Sequence, residues 1–123
     1  MGWQDHDIQQ RVFDFALRIL GVVRALPNDV AGRTIARQIA RSGTSVGANL
    51  EEAQGAPTRR EFARRMAIAR SEAIETRYWL RLIAESEMLP TSRLAELTQE
   101  CDELVKVLST IVRNTRNAEQ EDS

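Results

Sequence analysis

The residues able to do chemistry in this 123-residue chain are few and unevenly placed. Glu51 and Glu52 form one carboxylate pair, and Glu72 and Glu75 form a second, about one helical turn apart. Two such pairs on adjacent antiparallel helices can hold a divalent cation such as Mg²⁺. The single histidine, His6, lies in a polar N-terminal stretch. Its isolation removes the Glu-x-x-His metal sites of ferritin-like bundles and His-dependent nucleophilic catalysis. Cys101 is the only cysteine, so no intramolecular disulfide is possible. It falls on an apolar helical stripe, where a small core residue is the plainer reading than a nucleophile.

The carboxylates are similar in part to those of all-α nucleotide pyrophosphatases, which set Glu-Glu-x-x-Glu before Glu-x-x-Asp. Here Glu51-Glu52-Ala53-Gln54-Gly55 lacks the third carboxylate, and Glu72-Ala73-Ile74-Glu75 matches the second half in spacing only. A divalent-metal-dependent nucleotide hydrolase using Glu52, Glu72 and Glu75 is therefore the alternative expectation. The leading expectation is no enzyme, with no catalytic residue, cofactor or metal. In that reading Glu72 and Glu75 pair with Ser, Asn or Arg groups of the preceding helix.

A second constellation is polar and neutral. Read as a helix, the stretch from Gln38 to Gly55 sets Ser42, Ser45, Asn49 and Glu52 in a row beside the apolar row of Ile35, Ile39, Val46, Leu50 and Ala53. A solvated helix face is more usually Glu and Lys. The row therefore predicts a buried polar network of Arg41, Ser42, Ser45, Asn49 and Glu52 with Ser71 and Glu75, in which each group satisfies another. Gly43 and Gly47 each cost a helix ~1 kcal/mol relative to Ala. Their spacing predicts close approach of a neighbouring helix.

A third constellation is cationic. Sixteen of the seventeen basic residues are Arg, which binds phosphate and carboxylate bidentately. The net charge is −1, yet Arg11–Arg81 carries about +6 and Leu82–Ser123 about −5. Arg59, Arg70, Arg77 and Arg81 share one flank of a helix, and Arg33 and Arg37 lie on the helix before it. These six are the candidates for contact with RNA or DNA phosphate. The competing expectation is ion pairing, for example Arg81 with Glu85 at i,i+4.

Four helices must position these groups. The first runs from about Asp7 to Leu26, with Val12, Ala16, Ile19, Val23 and Leu26 in its stripe and Phe13, Leu17 and Leu20 widening it. Residues 1–6 are expected to fray. Pro27 ends this helix, and Asn28 or Asp29 caps the second, which ends near Gly55. Thr58 and Glu61 form a capping box for the third. There Phe62, Met66, Ala69, Ala73, Thr76, Leu80 and Ile83 step by four and three, the pattern of a bundle seam. Thr91 or Ser92 caps the fourth, with Leu94, Leu97, Cys101, Leu104, Leu108, Ile111 and Thr115 as its seam. Ile68, Ile74, Tyr78 and Trp79 lie off the third helix's seam and, with Gly43 and Gly47, predict a subunit interface. The expected architecture is all-α: one antiparallel up-down-up-down four-helix bundle over residues 1–116, then a disordered acidic tail over 117–123. No apolar run approaches the ~18 residues of a membrane span. The N-terminus is polar rather than signal-like, so a cytoplasmic setting without membrane contact is expected.

Arg41-Ser42, Ser45, Ala48-Asn49 and Glu52, followed by Glu61-Phe62, Ile68-Ala69, Ser71, Glu75 and Leu80, resemble a known pattern. It belongs to the four-helix-bundle family whose members include proteins encoded in intervening sequences of bacterial large-subunit ribosomal RNA genes. Phe13, Ala16 and Pro27 fit upstream, and Glu52-Ala53 stands where that family often has Glu-Gly. The resemblance implies a homopentamer of antiparallel bundles. It also implies kinship with the accessory variability proteins of diversity-generating retroelements, which work with nucleic acid and reverse transcriptase. The expected function is thus a non-enzymatic homo-oligomeric scaffold, with RNA, DNA or a protein as a further partner. A purely structural assembly protein is the remaining alternative.

Overall fold

The computed structural model describes residues 2–122, with side chains at 7–118 and at 120. Four helices account for nearly all of it: α1 (Gly2–Ala25), α2 (Val30–Gln54), α3 (Arg59–Glu85) and α4 (Thr91–Asp122). Each helix packs on the next, and α4 returns to α1; α1 and α3, and α2 and α4, are diagonal and have no close backbone approach. With three short connections this is the antiparallel up-down-up-down bundle. Among the described residues there is no strand.

Local chemistry sets most of the helix ends. Asp29, not Asn28, caps α2: its Oδ1 accepts from the Gly32 amide at 2.7 Å. Thr58 Oγ1 accepts from the Glu61 amide at 3.0 Å, which is half of the expected capping box. Glu61's carboxylate instead accepts from Arg64 at 2.8 and 3.1 Å. Neither Thr91 nor Ser92 caps α4. Both lie inside its first turn, and Pro90 precedes the helix with its carbonyl accepting from the Arg93 amide at 3.0 Å. Pro tolerates this place because its missing N–H is not needed there. The α3–α4 turn puts Glu87 at φ 61°, with Glu87 N bonded to Ala84 O and Met88 N to Ile83 O. This is the Schellman arrangement with a non-glycine residue in the left-handed position.

Two ends differ from expectation. Helix α1 starts at Gly2 rather than Asp7, while the side chains of residues 1–6, His6 included, lie outside those described. Helix α4 continues to Asp122 where a disordered tail was expected from 117. No Gly or Pro follows Pro90 to stop it, and the Ala118 carbonyl accepts from Arg59 Nη1 at 3.4 Å, tying this end to α3.

The core is aliphatic and runs the length of the bundle. Leu50, Met66, Leu80, Ile83, Leu94, Leu104 and Leu108 are all fully buried. Each such side chain contributes ~1.5–3 kcal/mol relative to exposure. The α3 and α4 seams lie where the spacing predicts, with Phe62 and Ile111 only half-buried. Helix α1 is rotated from its predicted register. Its buried stripe is Ile8, Val12, Phe15, Ile19, Val22 and Leu26, while Phe13 and Leu17 are 60% and 52% exposed. The predicted and observed stripes share Val12, Ile19 and Leu26; Phe15 fills the core better than Ala16 does. No described helix is long and apolar enough to cross a membrane.

Candidate functional site

The polar row of α2 resolves into separate local sets, not one network. Ser42 is fully buried and meets Thr76 of α3, with 2.8 Å between the hydroxyls. Thr76 Oγ1 is also 2.8 Å from the Glu72 carbonyl, so this hydroxyl bridges α2 to the backbone of its own helix. The sequence spacing marks Thr76 only as a seam residue. Ser45 donates to the Arg41 carbonyl at 2.6 Å, and Asn49 Nδ2 to the Ser45 carbonyl at 2.9 Å. Both thus spend their donors on their own helix, as short polar side chains readily do. Glu52 is exposed and pairs with Arg65 of α3 at 2.6 Å; Ser71 is exposed.

Arg41 is the hub that the network lacked elsewhere. Its Nη1 donates to Glu72 at 3.0 Å, and its Nη2 to Glu75. One guanidinium therefore bridges both carboxylates of the second pair. Glu52 is turned away to Arg65, and Glu51 is exposed. Among the described residues no three His, Cys, Asp or Glu side chains are gathered as metal ligands, so the carboxylate cluster of the hydrolase alternative is not assembled. Cys101 is equally unsuited to chemistry. Its thiol is buried, lies 3.4 Å from the Ala73 carbonyl, and burial pushes its pKa up to about 12. A thiol, not the nucleophilic thiolate, is present at neutral pH.

The arginine row fastens α3 to α4. Arg70 Nε donates to Ser109 Oγ at 2.7 Å, Arg77 meets Asp102 at 3.6 Å, and Arg59 reaches the Ala118 carbonyl. Arg81 pairs with Glu85 at 2.6 Å within α3, as the i,i+4 spacing suggests. Arg33 donates to Asn28 at 3.2 Å, while Arg37 is exposed and makes no ion pair among the described residues. A different basic surface was missed by reading one helix at a time. Arg60 and Arg64 of α3 and Arg116 of α4 line a groove of about 580 Å³ over Ala63, Ala67 and Ile68, with Glu61 and Glu72 also on its walls. Only the packing of α3 on α4 brings Arg116 there. The α1–α4 seam is ionic as well: Arg11 binds Glu100 in a two-pronged contact at 2.7 and 3.2 Å, which holds the guanidinium pKa above its ordinary value.

The predicted interface residues divide. Gly43 and Gly47 face α1 of the same chain, not another subunit. A Cβ on Gly43 would sit 2.7 Å from Ile19 Cγ2, and one on Gly47 would sit 3.3 Å from Val12 Cγ1. The close helix approach that their spacing predicts is made by α1 of the same chain. Ile68 and Ile74 are half-buried. Trp79 packs against the core, with its Nε1 buried and without an acceptor among the described residues. Tyr78 is 55% exposed and meets the Trp79 ring edge-on at 5.1 Å. Phe13 and Leu17 join it as exposed apolar side chains. The 4-3-4-3-4 spacing from Ile8 to Leu26 was the signal in the sequence that turns them outward.

Fold and polar seams together define an all-α antiparallel bundle held by arginine-centred ties between helices. Comparison with curated proteins gives no match. The sequence model of the family described as 23S rRNA-intervening sequence protein matches residues 4–110, and the chain belongs to that family. Among solved structures it is similar to a crystal structure from Bacteroides thetaiotaomicron, titled a protein with unknown function from the S23 ribosomal protein family. The two are 34% identical, the match covers 89% of this chain and 97% of that chain, and the TM-score is 0.82.

Proposed function

We propose that this protein is a non-enzymatic scaffold in the cytoplasm that assembles with copies of itself, most simply as the homopentamer that the family resemblance implies. One observation carries the reading: Phe13 and Leu17, one turn apart on α1, stay more than half exposed, as do Val30 and Tyr78 elsewhere on the bundle. Single exposed hydrophobes are ordinary, but large ones grouped on helices are the usual mark of an interaction surface. The paired carboxylates and the protonated, buried Cys101 support a role without catalysis. The test is the Phe13→Asp/Leu17→Asp variant. It should keep the helical circular dichroism of the wild type and sediment as a 13.9 kDa monomer. A variant that assembles like the wild type counts against the reading.

A second reading, contact with RNA or DNA, rests on Arg60 and Arg116, which line one groove beside the Arg64–Glu61 pair. Several arginines on one accessible face supply the sequence-independent phosphate attraction that nucleic-acid binding needs. The arginine row first expected to do this is largely engaged with α4. Binding of single-stranded RNA should therefore weaken steeply with salt, and Arg60→Gln/Arg116→Gln should flatten that slope more than Arg70→Gln/Arg77→Gln. No binding at low salt would remove this reading and leave the scaffold alone.

A further inference from the structure

We propose that the hollow under the α2–α3 connection takes an unpaired base of single-stranded nucleic acid, while Arg60 and Arg116 take its phosphate. This rests on the nucleic-acid reading above and adds what would hold the base. The hollow measures about 540 Å³ and lies between that connection, the start of α3 and the end of α4. Its size falls within the range of small-ligand sites. Half-buried Phe62 puts an aromatic ring in its wall, with Ala53 and Pro57 as further apolar surface. Gln54 and Asn114 also line it, and both are exposed. Their amides make no hydrogen bond among the described residues. Each amide offers both a donor and an acceptor, which is what the edge of a base requires. A ring for stacking and free polar groups for the base edge are the means by which proteins hold unstacked bases.

Charge divides the two seats. Among the described residues no carboxylate lines the hollow, and Arg59 stands at its edge. The neighbouring groove holds Arg60 and Arg116, and Thr58 borders both recesses. Arg59 lines one recess and Arg60 the other, and Thr115 and Arg116 divide in the same way, so adjacent residues on both helices join base seat to phosphate seat. Arg60 and Arg116 are exposed and make no ion pair among the described residues. The acids of the groove are already engaged: Glu61 with Arg64 and Arg65, and Glu72 with Arg41. Glu119, Glu121 and Asp122 follow in the last turn of α4 and oppose any polyanion at this end. That repulsion acts on phosphate, so it cancels between two ligands of equal charge.

The test therefore compares a short oligothymidylate with an abasic strand carrying the same number of phosphates. Both bind the full chain, read by fluorescence anisotropy at several salt concentrations. The wild type should hold the base-bearing strand about tenfold more tightly, a modest figure for stacking on an aromatic side chain, with equal salt slopes for the two. Gln54→Ala/Asn114→Ala changes exposed positions only, and Phe62→Leu keeps an apolar side chain without the ring. Each should shrink that ratio several-fold and leave the slope unchanged, with circular dichroism showing which variants are folded. Arg60→Gln/Arg116→Gln should flatten both slopes. Equal wild-type affinity for the two strands overturns the base seat and leaves the phosphate reading intact. A preference that survives in every folded hollow variant places the base elsewhere and overturns it too. No binding of either strand at low salt overturns both readings.

Discussion

Thr76 shows how one hydroxyl can matter more than the row expected to dominate. It lies fully buried between Ser42 and the Glu72 carbonyl. Ser42→Ala leaves Thr76 its backbone acceptor, so the expected cost is near 1 kcal/mol or less. Thr76→Val strands the buried Ser42 hydroxyl, and ~1–3 kcal/mol is expected. Urea unfolding of the two variants should show that order, and equal midpoints would mean that the bond is not asymmetric. Cys101 supplies a pH signature. The folded chain holds this proton up to about 12, against an ordinary value of 9.0. Between these values the unfolded chain binds fewer protons than the folded one, so stability falls as pH rises above about 9. The fall should be shallower in Cys101→Ala over the same range. At pH 8 a thiol reagent should label the native protein only as fast as it unfolds; prompt labelling would show that the thiol is exposed. Neither result was readable from composition: Thr76 looked like any seam residue, and a thiol's protonation depends on who surrounds it.

At the scale of the helices, much was legible because apolar spacing and burial are the same fact seen twice. The α3 and α4 seams, the Thr58 cap and the stop at Pro27 follow from residue type and position alone. Helix α1 shows the limit. Two registers share Val12, Ile19 and Leu26, and the longer run from Ile8 through Phe15 and Val22 is the one that packs, turning Phe15 in and Phe13 out. The Glu87 turn was hidden for the opposite reason, since glycine is the usual signal for that backbone and is absent. The two α2 glycines give a paired prediction. Gly43→Ala drives a methyl to 2.7 Å from buried, branched Ile19, and overpacking of this kind costs ~1–3 kcal/mol against a helix gain of ~1. A net loss in thermal or urea stability is expected. Gly47→Ala meets Val12 at 3.3 Å and should be neutral or stabilise by up to ~1 kcal/mol. If both variants lose stability equally, α1 approaches α2 differently from the arrangement described.

At the scale of the whole molecule, the uneven charge has a structural use inside the subunit. Basic α3 and acidic α4 lie side by side, and Arg70, Arg77 and Arg59 reach across to α4. Charge counted along the sequence could not tell this pairing from a free phosphate-binding face, because both use the same arginines. What the pairing leaves open is Arg60 and Arg116 at one groove, where Arg64 is paired with Glu61, and exposed apolar side chains on α1 and α3. The carboxylates look catalytic as a list of residues, whereas in the structure Arg41 takes two of them and Arg65 a third. The family match accounts for the bundle, while the exposed Phe13, Leu17 and Tyr78 account for the proposal that it works as an assembly. Self-association is the central claim, and the mass of the wild-type protein in solution tests it most directly. Light scattering coupled to size exclusion at tens of micromolar should return an integral multiple of 13.9 kDa that falls on dilution or in the Phe13→Asp/Leu17→Asp variant. A mass of 13.9 kDa that does not change with concentration would contradict it.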